Sequence, residues 1–198
     1  MPLSARKITH GDIAPIDVYT RDRKTRKAAL VAVKKNRRVE VGPFATFYFE
    51  NYDTMLGQVQ EMLYIEKGGA EQIDGELAAY NPLIPQGSEL IATMMLEIED
   101  ANRRNATLLR LGGIEETVYM EVAGTRIRAT PTEYDDRTTD EGKTSSVHWL
   151  RFTFTPDQIA AFRDPGASVI LGIVHQNYGH MAVVSPQTRD ALSGDFAA

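Results

Sequence analysis

Apolar residues recur along this chain in two periods. From Tyr52 to Glu66, the residues Met55, Leu56, Val59, Met62 and Leu63 fall on one side at about 100° per residue, which predicts an amphipathic helix stopped by Lys67-Gly68-Gly69. Leu90, Ala92, Met94, Leu96 and Ile98 instead alternate with Ile91, Thr93, Met95, Glu97 and Glu99, which predicts a strand whose first set is buried. Arg38 to Val41 and Phe44 to Glu50 form a predicted hairpin about Gly42-Pro43, and Thr117 to Val122 with Thr125 to Ala129 a second about Ala123-Gly124. Ser146 to Phe154 reads as a strand. Ser168 to Val174, apolar on both faces, reads as a central strand followed by another over His180 to Val184.

Stop and start signals bound the remaining helices. Thr9 or Asp12 caps an opening turn, and Arg21 to about Lys35 is predicted helical with Ala28, Leu30 and Val31 toward the core. Glu71 to Tyr80 ends before Asn81-Pro82, because a residue preceding proline avoids the α region. Asp100 caps a helix through Leu108 that Gly112-Gly113 stops; Thr155-Pro156-Asp157 opens another that ends near Asp164-Pro165-Gly166; Ser185-Pro186 opens a short terminal one. Clustered strands with interspersed helices predict one α+β domain over 1–198, a mostly antiparallel or mixed sheet with several amphipathic helices packed on it. The polar, acid-rich stretch 130–145 is expected to be an exposed, mobile loop, and 190–198 a frayed tail.

Composition narrows the classes. With 198 residues, folding can bury roughly 70% of the extended chain's surface, and 25% charged with 42% hydrophobic residues argues against disorder and against a membrane protein. The absence of cysteine excludes disulfides, thiolate catalysis and a cysteine-ligated cluster. The amino-terminal residues lack an apolar signal core and no apolar run approaches the roughly 18 residues of a membrane helix, so a cytoplasmic location away from membranes is expected. Charge is uneven: residues 21–38 carry nine basic side chains against Asp22 alone, a local +8 that leaves −13 on the rest of a chain of net charge −5.

Several segments are distinctive in order along the chain: Lys34-Lys35-Asn36-Arg37-Arg38 running into Val39-Glu40-Val41-Gly42-Pro43, Gln58 to Glu66, Ala79-Tyr80-Asn81-Pro82-Leu83-Ile84-Pro85, Lys143 to Phe152, and Gly172 to Tyr178. In these the chain resembles a bacterial family catalogued as domain of unknown function 3501. The resemblance implies a soluble bacterial protein encoded beside rubrerythrin-like and iron–sulfur redox proteins, a context without a reaction. In the last segment Val174 and Gln176 stand where the family pattern has an acidic residue and a proline, which removes support for a role carried over to His175.

Three functional readings follow. His148 shares strand parity with Leu150, Phe152 and Phe154 and should face inward; His175 closes the row Val169-Leu171-Ile173, with Tyr178 and His180 in the adjoining turn. Glu66 falls near the centre of its helix's apolar stripe, whereas Glu61 lies on the flank and is easily solvated. Two imidazoles and a carboxylate, His148, His175 and Glu66, form a ligand set for non-haem iron or zinc in a metal-dependent enzyme; an inward histidine fits equally as a hydrogen-bonded core residue. The basic segment, through Lys34, Lys35, Arg37 and Arg38, is the expected contact of a noncatalytic accessory protein with a redox or stress-response partner, or of an anion or nucleic acid, although no aromatic signature of nucleic-acid binding accompanies it. The glycine pairs match no phosphate-binding pattern, and Ser145 and Ser146 lack a nucleophile elbow.

Overall fold

Pro15 sets the backbone that opens the first helix, α1 (Ile16–Lys35), in a computed structural model that describes residues 6–132 and 138–197. A hairpin follows, β1 (Arg38–Val41) and β2 (Ala45–Phe49), and then α2 (Tyr52–Glu66), opened by reciprocal bonds in which Asn51 Oδ1 accepts from Thr54 N at 3.0 Å and Thr54 Oγ1 from Asn51 N at 2.9 Å. The chain continues through α3 (Ala70–Tyr80), β3 (Glu89–Leu96), α4 (Ala101–Leu108), β4 (Val118–Val122), β5 (Thr125–Arg128), β6 (Thr130–Pro131) and β7 (Val147–Thr153). It closes with α5 (Pro156–Arg163), β8 (Val169–His175), β9 (Tyr178–Val183) and α6 (Pro186–Ser193). Asp100, Thr155 and Ser185 cap α4, α5 and α6 with their side-chain oxygens, as their sequence positions predict.

The strands form two antiparallel sheets, the first in order β1-β2-β3-β7-β6 and the second in order β5-β4-β8-β9. Their inner faces meet in one core, where Phe47, Met94, Leu150 and Phe152 of the first sheet join Met120, Leu171 and Ile173 of the second. Against the outer face of the first sheet, Met55, Val59 and Leu63 of α2 and Leu77 of α3 pack on Ile91 and Trp149. The fold is α+β in one domain, with helices on one sheet and that sheet on another. This layering explains β3, whose alternation predicts a single buried face: Ile91 and Thr93 are buried too, because α2 covers the side opposite the core.

Tyr178 joins the two sheets. Its hydroxyl donates to Val41 O at 2.7 Å and accepts from Ala45 N at 3.0 Å and Phe44 N at 3.2 Å, so one phenol ties β9 to the β1–β2 turn. Gly42, at φ +72°, makes room for it, since a Cβ there would come within 2.7 Å of the phenol oxygen and 2.6 Å of the His180 ring.

Three expectations need correction. Ala28 and Val31 face solvent, Val31 at 68% exposure, because α1 lies on α2 rather than on a sheet and touches it through Tyr19, Arg23 and Leu30. Gly57 lets the helices approach, as Leu30 Cδ2 lies 2.6 Å from where a Cβ would stand. The tail expected to fray over 190–198 is docked as far as the described residues run: Asp195 and Phe196 are buried, and Ala197 N donates to Gly87 O at 2.8 Å. The stretch 130–145 is pinned at its ends, by pairing of Thr130 and Pro131 with β7 and by a bridge between Thr138 and the buried Thr144, while 133–137 lie outside the described residues.

Candidate functional site

Strand parity puts Tyr48, Thr93 and Trp149 side by side on the outer face of the first sheet, in register across β2, β3 and β7. Met95 and Val147 form the next row. Helix α2 covers part of this face with Met55 and Gln58, and Lys34 from the last turn of α1 and Tyr80 from the end of α3 complete the walls. The resulting open-mouthed cavity measures about 300 Å³.

Glu50 supplies its charge. It follows β2 directly, is 6% exposed, and has its backbone fixed twice: its N–H donates to Ile91 O at 2.7 Å, and its carbonyl accepts from Arg37 Nη2 at 3.1 Å. Thr93 Oγ1 donates to carboxylate Oε1 at 2.7 Å, while Oε2 takes no hydrogen bond among the described residues. Tyr48 donates its hydroxyl to Glu97 Oε1 at 2.8 Å; burial first, and then that bond, push the phenol up from its ordinary value, so the ring stays neutral. The lining thus combines a mostly buried carboxylate, a lysine, three aromatic rings and two thioethers.

The side chains singled out in the sequence are dispersed. His148 faces inward, as its parity predicts, and donates from Nε2 to Ser145 O at 2.9 Å; its Nδ1 lies 3.7 Å from Glu115 Oε2. His175 belongs to the other sheet, where Nδ1 accepts from Asn177 N at 3.2 Å within the turn between β8 and β9 and Nε2 donates to Gly112 O at 3.2 Å, tying that turn to the loop after α4. Tyr178 and His180 lie beside that turn, their rings 4.5 Å apart. Glu66 does not join the histidines: it sits exposed at the end of α2, accepting from Gln72 Nε2 at 2.6 Å, because the last turn rotates beyond the covered stripe. Among the described residues, no three His, Asp or Glu side chains are grouped to hold a metal.

The basic segment is likewise divided. Arg37 is 4% exposed and donates to Phe49 O, Glu50 O, Ala191 O and the Asp195 carboxylate, so it is an internal strut. Arg38 pairs with Glu40 at 2.8 Å, Lys34 lines the cavity, and Lys35 stays exposed. The family described as protein of unknown function (DUF3501) matches residues 7–196. The chain belongs to this family. A crystal structure at 1.90 Å of a novel protein of unknown function from Burkholderia pseudomallei K96243 is 34% identical, with a TM-score of 0.89 over 96% of this chain and 100% of that one. No curated protein matches.

In this DUF3501 member, Glu61 is the busiest surface carboxylate, in contrast to the solvated flank position its sequence predicts. It accepts from Arg23 Nε at 2.8 Å and Nη2 at 2.7 Å and from Tyr19 Oη at 2.5 Å, with Lys27 Nζ at 3.4 Å. The Arg23 bonds above all, with help from Tyr19 and Lys27 and against the effect of burial, pull its carboxyl down to about 2. The folded value lies below the ordinary 4.5, so Glu61 contributes stability above that value and loses it as pH falls toward about 2. Allowing for solvent screening, urea unfolding should show a loss of roughly 1–3 kcal/mol across this range that Glu61→Gln removes. Parallel acid limbs in the two proteins would refute it.

Glu50, Thr93, Tyr80 and Trp149 were not singled out from sequence, yet a signal was present. Tyr48 and Glu50 share parity on β2, opposite the buried Phe47 and Phe49, and Trp149 falls between the inward His148 and Leu150.

Proposed function

We propose that the protein is a noncatalytic binding protein that takes a small organic molecule into the cavity on the outer face of its first sheet. The observation that carries this reading is Glu50, a mostly buried carboxylate with one oxygen left unbonded at the wall of an otherwise largely apolar and aromatic space. Burying a carboxylate is unfavourable unless donors surround it, and the fold supplies one, Thr93. A ligand that provides the others recovers that energy on binding. The remaining lining suits recognition: flat rings from Tyr48, Tyr80 and Trp149, and adaptable thioethers from Met55 and Met95. The volume of about 300 Å³ is at the lower end for small-molecule sites.

Trp149 is the chain's one tryptophan and lines the cavity, so its emission reports occupancy. A library of small aromatic and aliphatic fragments should contain members that change this emission saturably, and Met95→Phe, which fills the space, should abolish the change while the fold melts normally. Fragments that bind equally well to Met95→Phe, or a library that leaves Trp149 unmoved, would overturn the reading.

A further inference from the structure

The cavity holds opposite charges that do not meet. Lys34 and Glu50 both line it, yet among the described residues neither has an opposite charge within 4.0 Å. The segment that carries each is anchored independently. Lys34 belongs to the last turn of α1, which is fixed against α2 by the Glu61 cluster and continues directly into the buried Arg37. Glu50 is anchored through its own backbone to Ile91 and Arg37 and through its carboxylate to Thr93. Tyr48, Tyr80, Trp149, Met55 and Met95 line the same space.

Resting on the binding reading above, we infer that the ligand is an amphoteric organic molecule: an ammonium group seats on Glu50, an anionic group reaches Lys34, and an apolar or aromatic body lies between. Glu50 Oε2, which takes no hydrogen bond among the described residues, accepts from the ammonium, and the aromatic and thioether lining accommodates the body of the molecule. Lys34 selects the other end as a mobile point charge, which suits a carboxylate or a phosphate equally. Because the Glu50 carboxylate is fixed before binding and Lys34 comes from an anchored helix end, a molecule carrying both groups gains at each end with only the lysine side chain to order.

The test uses three probes of one shape: 4-(aminomethyl)benzoate, which carries both charges, benzylamine, which carries only the cation, and 4-methylbenzoate, which carries only the anion. Titrated against the intact protein by Trp149 emission, 4-(aminomethyl)benzoate should bind about tenfold or more tighter than either partial probe. In Glu50→Gln, which keeps the bond from Thr93, its affinity should fall to that of 4-methylbenzoate; in Lys34→Met it should fall to that of benzylamine. Equal affinities for all three probes, or variants that leave the preference unchanged, would overturn the inference. Should none of the three bind while neutral fragments fill the cavity and are blocked by Met95→Phe, the amphoteric ligand is refuted and the binding reading stands. If neutral fragments fail as well, both fall.

Discussion

Replacing Arg37 with methionine should lower the unfolding free energy by about 3–5 kcal/mol, the range for removing one partner of a buried ion pair. For a chain of this size that is a drop in melting temperature of roughly 6–20 °C. Arg37 Nη2 bonds to Asp195, whose side chain is 5% exposed, and the rest of the guanidinium holds the carbonyls of Phe49, Glu50 and Ala191. Removing it leaves a desolvated carboxylate and three unpaired acceptors. Burial raises the Asp195 carboxyl above its ordinary 3.8, against the pull of Arg37, and without Arg37 it rises further. For a raised acid, stability is fully present below the unfolded value and is lost as pH climbs through the folded one. The deficit of Arg37→Met should therefore be larger at about pH 7 than at about pH 4, and Asp195→Asn in the same chain should restore part of it. Denaturant titrations at the two pH values decide the matter; a deficit that ignores pH would show that the pair is not the origin of the effect.

Phe196→Ala should be nearly as damaging, at about 3–5 kcal/mol for a buried phenylalanine. The ring is 1% exposed and lies edge-on to Phe154 and Phe162 at centroid distances of 4.9 and 5.4 Å. Arg163 Nη2 also donates to Ala197 O at 2.8 Å, which helps to seat the segment. Since Phe196 and Asp195 dock the same stretch, the effects of Phe196→Ala and Arg37→Met should sum to more than the double variant shows, because a tail already released has less to lose. Full additivity in a denaturation cycle would mean that the two contacts act independently.

Local signals were the part of this structure written plainly in the sequence. Asp100, Thr155 and Ser185 open helices through their own side chains, and β7 alternates between inward His148, Leu150 and Phe152 and the residues between them. The hairpin turn at Ala123 and Gly124, with φ +48° and +80°, was equally visible. What could not be read was which element covers which. The face of α1 is set by a polar contact with Glu61, so its alanines and valine misled; a helix resting on another helix through Tyr19 and Arg23 leaves no apolar stripe to find. The same holds for the site. His148 faces inward, as its parity predicts, but His175 closes its row on the other sheet, and the ring of His148 bonds to the Ser145 carbonyl while that of His175 reaches the Gly112 carbonyl. Glu50 drew no notice because its burial depends on α2 and Lys34 closing over the sheet, a long-range event with no local periodicity. Arg37 looked like one charge among nine and proved to be interior, since its partner arrives from the far end of the chain.

That partner stands 158 positions away in sequence. Any attempt to divide the protein between them would give two fragments that each retain half of a buried ion pair, one with a guanidinium and the other with a carboxylate stranded in apolar surroundings. Neither fragment would be a self-sufficient module, so this chain should resist dissection into smaller working parts, and recombination with a relative should succeed only where both ends are inherited together.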